Sequence, residues 1–207
     1  MMFSFPSPDP GIEITAFSQG MSKGLRQTEG LQILVRPEVE IGPAFVGAFY
    51  KNVTSPTADG EAAVLGGLRR RVGGFELAAT AAYKWNTGAR TQADRDCIEF
   101  IASASRRFGR VTPRVSLTWS PDDLGGTRAS LYAEAGASFS LFEGASVSAN
   151  LARRSRDGGP DYTAFNAGAS YAITRNITAE LRYYDTAQGR LGAIYEPRVV
   201  ASARVHF

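Results

Sequence analysis

From residue 12 to the end, apolar and polar positions alternate with a period of two, the pattern of β-strands whose two faces meet different surroundings. Leu31, Ile33, Val35, Pro37 and Val39 share one face, opposite Gln32, Leu34, Arg36, Glu38 and Glu40. Phe75, Leu77, Ala79, Ala81, Tyr83 and Trp85 likewise oppose Glu76, Ala78, Thr80, Ala82 and Lys84. The alternation returns over 111–119, 131–139, 145–151, 165–173, 177–184 and 199–207, and helical periodicity competes nowhere. Tight junctions at Gly42-Pro43, Gly73-Gly74, Gly109, Glu143-Gly144 and Arg175-Asn176 suit short hairpins. Between them lie longer polar stretches at 20–28, 53–60, 86–96, 120–127, 154–160 and 185–196. Short and long connections alternating in this way predict an all-β, antiparallel up-and-down β-barrel of about twelve strands, with both termini on the short-turn side. Residues 1–10 are read as an N-terminal extension and 11–207 as the barrel.

A soluble sandwich also has one apolar and one polar face, so alternation alone does not choose between water and lipid. Strand length favours lipid: runs of about ten residues tilted by about 40° span roughly 25 Å, the height of an outer-membrane apolar band. The order of sizes on the apolar face points the same way. Its middle positions are small (Ala79, Ala81, Ala133, Ala135, Ala167, Ala179), while Phe75, Trp85, Trp119, Phe139, Tyr171 and Tyr183 stand near the ends. A soluble core needs bulk in its middle; lipid fills its own space, and aromatic girdles belong at the two interfaces. The final alternation places Val199, Ala201, Ala203, Val205 and Phe207 on one face. Ala203, Val205 and the terminal Phe207 resemble the C-terminal signal read by the barrel-assembly machinery, an expected partner beside outer-membrane lipid and lipopolysaccharide.

Composition narrows the reading further. No apolar run is long enough for a membrane helix, and a net charge of +3 without a basic run argues against nucleic acid. Lysine occurs only at positions 23, 51 and 84. The single cysteine, Cys97, excludes an intrachain disulfide and a cysteine-based metal site. Met1-Met2-Phe3-Ser4-Phe5-Pro6 runs into Ser7-Pro8-Asp9-Pro10 without the charged and apolar regions of a signal peptide. An outer-membrane chain is expected to carry such a leader, so either it has been replaced or the start is misassigned; a soluble β-sandwich binding protein is the reading its absence keeps open.

The chain resembles the TorF family of proteobacterial porins over nearly its whole length. The likeness rests on Ser18-Gln19-Gly20-Met21-Ser22-Lys23 followed by Gln32 to Asn52, on Ile98-Glu99-Phe100 leading to Gly109, and on Trp119-Ser120-Pro121-Asp122. Tyr132 to Ser138 and Asp161-Tyr162-Thr163 to Ser170-Tyr171 continue it. The resemblance implies an outer-membrane barrel with a porin role, and it brings no catalytic residues.

Enzymatic barrels exist, and a twelve-stranded phospholipase is the rival with a matching strand count. Its serine would need a histidine base beside it; the only histidine is His206, next to the C-terminus. No phosphate loop, metal-spaced cluster or calcium loop stands out, so neither enzymatic activity nor a cofactor is expected. On the long stretches, Asp94, Asp96, Asp122, Asp123 and Asp157 accompany Arg95, Arg128, Arg153, Arg154 and Arg156. These are expected to be solvated surface, with lipopolysaccharide phosphates as the sharper alternative for the arginines.

Function is expected on the charged face. Register sends Arg36, Glu38, Glu76, Lys84, Glu99, Arg114, Glu134, Glu180, Arg182 and Arg204 inward as pore-lining candidates, with Glu40, Arg69, Arg107 and Arg198. On the lipid side each charge would cost about 2–4 kcal/mol at mid-membrane. Either acids and bases pair across strands and brace a nearly closed lumen, or surplus arginine gives a weak anion preference. Twelve strands give a backbone diameter of roughly 24 Å and at most a ~10 Å channel. Gly136, Ser138, Ser146, Ser148, Gly168 and Ser170 are expected to leave an open path on one side. The expected function is passive diffusion of ions and small hydrophilic solutes. A structural or adhesive barrel with a blocked lumen is the alternative.

Overall fold

The computed structural model describes residues 8–55, 58–89 and 95–207. Of the expected N-terminal extension, residues 1–7 lie outside the described residues, and Asp9 and Pro10 already run in the first strand. Twelve long strands close one antiparallel barrel. They are β1 (Asp9–Phe17), β4 (Gln32–Ile41), β5 (Ala44–Asn52), β6 (Gly60–Val72), β7 (Phe75–Thr87), β8 (Asp96–Arg106), β9 (Val111–Asp123), β10 (Arg128–Phe142), β11 (Ala145–Arg156), β12 (Tyr162–Ala172), β13 (Ile177–Asp185) and β14 (Arg198–His206). Each pairs with its neighbour in the chain, and β1 closes on β14 from Glu13 opposite His206 to Phe17 opposite Ser202. The up-and-down meander is therefore complete, and no sheet edge remains to be protected. The two-residue strands β2 (Met21–Ser22) and β3 (Leu25–Arg26) form a separate sheet outside the barrel ladder.

Alternation sets the two faces because side chains along a strand point to opposite sides. One face of the wall points outward and is apolar: Leu151 is 60% exposed, Leu181 56% and Val199 61%. Such exposure across a whole barrel is opposite to a soluble protein, whose large apolar groups fill its centre. The expectation of a soluble sandwich is overturned here: there is one closed barrel, and its apolar face is the outside. At the loop end, Phe100 stacks on Trp119 with centroids 5.6 Å apart, Tyr83 lies against Trp85 at 5.8 Å, and Phe165 against Tyr183 at 6.1 Å. At the opposite end the Arg106 guanidinium sits 4.9 Å from the centroids of both Phe75 and Phe108. Aromatic groups thus ring both rims of the apolar belt, as membrane interfaces favour.

One end carries the short turns and both described termini. Gly73 and Gly74, with φ of 58° and 81°, form the two-residue turn whose twist matches the flanking strands β6 and β7. The other end carries the longer connections, including two short 3-10 turns, Gly189–Leu191 and Ala193–Tyr195, between β13 and β14.

Candidate functional site in the barrel interior

Nine of the ten residues expected inside separate into three groups on the inward face. On the wall from β9 to β13, Arg114 donates to Glu134 and, through Nε, to Asn150 Oδ1 at 3.1 Å. Asn150 Nδ2 donates to Asn166 Oδ1 at 2.8 Å, and the same oxygen accepts from Arg182. Arg182 also donates to Ser148 Oγ and to Glu180 Oε1, both at 2.7 Å. A continuous polar ladder therefore crosses five strands. Its arginines use several donors at once, which a planar guanidinium allows and an ammonium does not.

Of the small inward residues expected to leave an open path, Ser138 and Ser148 line a chamber of about 450 Å³, whereas the positions of Gly136 and Gly168 are covered. A Cβ at Gly136 would lie 2.1 Å from Asn150 Oδ1, and one at Gly168 would lie 3.0 Å from Arg182 Cβ. Space left by the two glycines is filled by the neighbouring strands' side chains, and Ser146 and Ser170 join hydroxyls at 2.8 Å.

The second group lines the turn end. Arg69 donates to both Glu38 and Glu40, Arg36 lies 3.6 Å from Glu38, and Arg204 lies 3.6 Å from Glu13. The Arg69 guanidinium also covers the Phe45 ring at 3.9 Å. Phe45 in turn lies over Gly67, where a Cβ would come within 2.8 Å of the ring and 2.1 Å of the Ala79 carbonyl. Around this group is a cavity of about 330 Å³, lined also by Asp9 and by His206. Glu76 stands apart at the rim with Arg71.

The third group gathers all three lysines near the loop end. Lys84 Nζ lies 3.2 Å from both Glu61 and Glu99, and Lys51 lies 3.3 Å from Glu61. Lys23 reaches this group from the hairpin of β2 and β3, with Nζ 2.6 Å from Glu99 Oε1 and 2.6 Å from Asp123 Oδ2. Asp123 also accepts from Arg154 at 2.7 Å and from Ser130 at 2.8 Å. Asp123 and Arg154 correct the expectation of a solvated loop surface: both are buried. Arg154 follows Asn150 and Ala152 on the inward parity, whereas Asp123 is brought inward where a register shift between Arg128 and Ser130 breaks the alternation.

Of the other charges expected on the loops, Asp94 lies outside the described residues. Arg153 is outward, 3.2 Å from Asp161, and Arg156 donates to the Tyr195 hydroxyl at 2.8 Å. Asp161 Oδ1 accepts the Arg156 backbone N–H at 2.9 Å, which holds that carboxyl below the ordinary aspartate range.

The hairpin itself was not foreseen. Lys23 and Gly24 have φ of 49° and 81°, forming a two-residue turn between the paired residues Ser22 and Leu25. From the connection between β1 and β4 it folds into the barrel's loop end. Leu25 packs in a buried cluster with Tyr132, Ala152, Tyr162, Ala164 and Tyr195. The Tyr162 hydroxyl donates to the Lys23 carbonyl at 2.7 Å, and Lys51 donates to the Gln27 side chain at 2.7 Å. Met21, Ser22, Lys23 and Gly24 thereby roof a chamber of about 450 Å³ whose walls include Arg114, Glu134, Glu180, Arg182 and Arg204. Lysine at positive φ is uncommon, at about 1–2 kcal/mol; here it puts an ammonium at the hairpin tip.

Taken together, the closed barrel, the apolar exterior and the polar interior define the architecture of outer-membrane barrels. Solved structures of that class match most of the chain. The KdgM porin in complex with disordered oligogalacturonate superposes with a TM-score of 0.67 at 7% identity, covering 95% of this chain and 99% of that one. The NanC porin gives 0.59 at 8% identity over 94% and 97% of the two chains. An outer-membrane channel from Pseudomonas putida F1 gives 0.54 at 11% over 95% and 94%. No family model matches the chain, and no curated protein sequence matches it. The likeness is one of fold.

Proposed function

We propose that this chain is an outer-membrane channel for passive diffusion of ions and small hydrophilic solutes, with its loop end outside the cell and its turn end in the periplasm. The observation that carries the reading is the inversion of faces: large apolar groups lie on the outside of a closed barrel, while charges lie within it. A wall of that kind is stable in lipid and encloses a path that water and ions can wet. The porin and channel structures that share this fold support the same reading. The ladder arginines lie against carboxylates, Arg114 on Glu134 and Arg182 on Glu180, and do not form a free basic track.

The membrane would supply the partners. Arg153, outward beyond Leu151, would meet lipopolysaccharide phosphates. Phe207, 68% exposed on the outward face after Ala203 and Val205, would be read by the assembly machinery. Deleting Phe207 should then reduce the folded, heat-modifiable band in cells but not in detergent refolding; an equal loss in both would remove the recognition role.

Single-channel recording in planar bilayers tests the channel itself. Discrete steps from folded protein are expected. A second reading, a barrel with a blocked lumen whose loops bind a partner, is favoured by the roof over the chamber. It would replace the first if folded protein passed no current at any voltage, both with the hairpin and with it removed.

A further inference from the structure

We propose that the hairpin spanning residues 18–30 is a movable gate of this channel, latched shut by Lys23. The proposal rests on the channel reading and adds the element that controls it.

The hairpin is joined to the wall in a way that permits motion. Its strands β2 and β3 pair only with each other and take no place in the barrel ladder, so swinging them out breaks no strand pairing of the wall. Among the described residues, the backbone hydrogen bond from the wall side to its distal part is Thr54 N–H to the Gln27 carbonyl, at 2.8 Å. Its roots are firmer. Ser18 exchanges bonds with Ala201 at 2.8 and 3.0 Å, and Phe17 pairs with Gln32 across β1 and β4. Gly30, of low backbone restriction, has open space where a side chain would stand, while Gly20 ties the arm to itself through Thr28 Oγ1 at 2.7 Å and the Gln27 N–H at 2.7 Å.

The arm is held inward by wall side chains along it, Tyr162 on the Lys23 carbonyl and Lys51 on Gln27, and above all by the chemistry at its tip. Lys23 is clasped between Glu99 on β8 and Asp123 on β9, and Leu25 occupies the aromatic cluster formed with Tyr132, Tyr162 and Tyr195. Both contacts can open and re-form without rebuilding the fold. Such an element, unpaired with the strands of the wall and held by a separable latch, is what local opening draws on.

A built-in reporter lies under the latch. Cys97, the only cysteine, is 4% exposed, with Sγ 3.9 Å from Asp123 Oδ1. With the hairpin in place a small neutral alkylating reagent such as iodoacetamide should label it slowly.

Three variants of the full-length protein decide the matter, each first shown to be folded by heat-modifiable mobility. Lys23→Gln releases the ionic latch, and Leu25→Ala releases the apolar contact without altering charge. In the third, an Asn-Gly turn joins Phe17 directly to Gln32, removing the arm. Labelling of Cys97 should accelerate by roughly tenfold or more in both point variants, the shift in opening that loss of charge-assisted bonds or buried apolar contact brings. Their open probability in bilayers should rise, and the armless barrel should conduct more than the parent and stay open. An armless barrel conducting in the same steps as the parent overturns the gate and leaves the channel standing. Silence from parent and armless barrel alike overturns the channel reading instead, and the labelling rates then judge the arm alone: unchanged rates in both point variants show that it does not move.

Discussion

Replacing Asp123 with asparagine tests whether the buried ion pairs at the loop end brace the wall. The substitution keeps the shape of the side chain and removes its charge. In the parent, Asp123 faces Arg154 at 2.7 Å, with side-chain exposures of 4% and 9%, so solvent screens the pair little. The pair links β9 to β11 across the intervening β10, which makes it part of the barrel and not merely of the hairpin. Removing one partner of a buried pair costs about 3–5 kcal/mol, chiefly because the other charge is left without compensation. Arg154 retains the Tyr162 hydroxyl at 3.3 Å, and Lys23 retains Glu99. These remaining partners lower the expected loss to about 2–3 kcal/mol.

The assay is urea unfolding of the protein refolded into lipid vesicles, followed by the fluorescence of Trp85 and Trp119. Asp123→Asn should lower the midpoint without altering the slope. Arg154→Met in the Asp123→Asn background should cost less than in the parent, since the unpaired charge has gone, and the cycle should show a coupling of about 1–3 kcal/mol. A loss below about 0.5 kcal/mol for Asp123→Asn, together with simple additivity, would refute the bracing argument.

Three further outcomes follow from the geometry. Gly67→Ala should destabilise the barrel by about 1–3 kcal/mol through overpacking, since its Cβ meets the Ala79 carbonyl and the Phe45 ring; a folded band of parental heat stability would contradict this. Leu117→Arg, on the outward face of β9 and 51% exposed in the parent, should cost about 2–4 kcal/mol in bilayers, and the absence of any penalty there would mean that this face does not meet lipid. Glu38→Gln with Glu40→Gln leaves Arg69 without its carboxylates, so the reversal potential in a salt gradient should move toward anions; an unmoved value would place these residues off the ion path.

The wall was legible in the sequence because a membrane strand must keep one face for lipid over its whole length. Arg114, Glu134, Glu180 and Arg182 could be sent inward from parity alone, and the register of β9 to β13 sets them on one polar wall. Three features were hidden for different reasons. The hairpin was hidden because its strands have two residues each, too short for any period, and Lys23 meets Asp123 a hundred positions away. Asp123 was hidden by the register shift at Arg128 and Ser130, which inverts the parity on which the reading depends. The filling of space at Gly136 and Gly168 was hidden because a small residue reports its own volume and not what a neighbouring strand places over it.

The division of labour between the two basic residue types links these features. The wall braces at mid-barrel and at the turn end use arginine, whose fork reaches two or three fixed acceptors and so holds strands in register. Lysine is a compact charge on a flexible stem, free to exchange one carboxylate for another with little geometric demand. All three lysines are found where the arm meets the wall: Lys23 on the arm, Lys51 holding Gln27 from the wall, and Lys84 sharing Glu99 with Lys23. When Lys23 leaves, Glu99 keeps Lys84 and Asp123 keeps Arg154, so neither carboxylate is stranded in the open state. A latch whose release leaves its acceptors compensated lowers the energy difference between closed and open, which is the condition for both states to be populated.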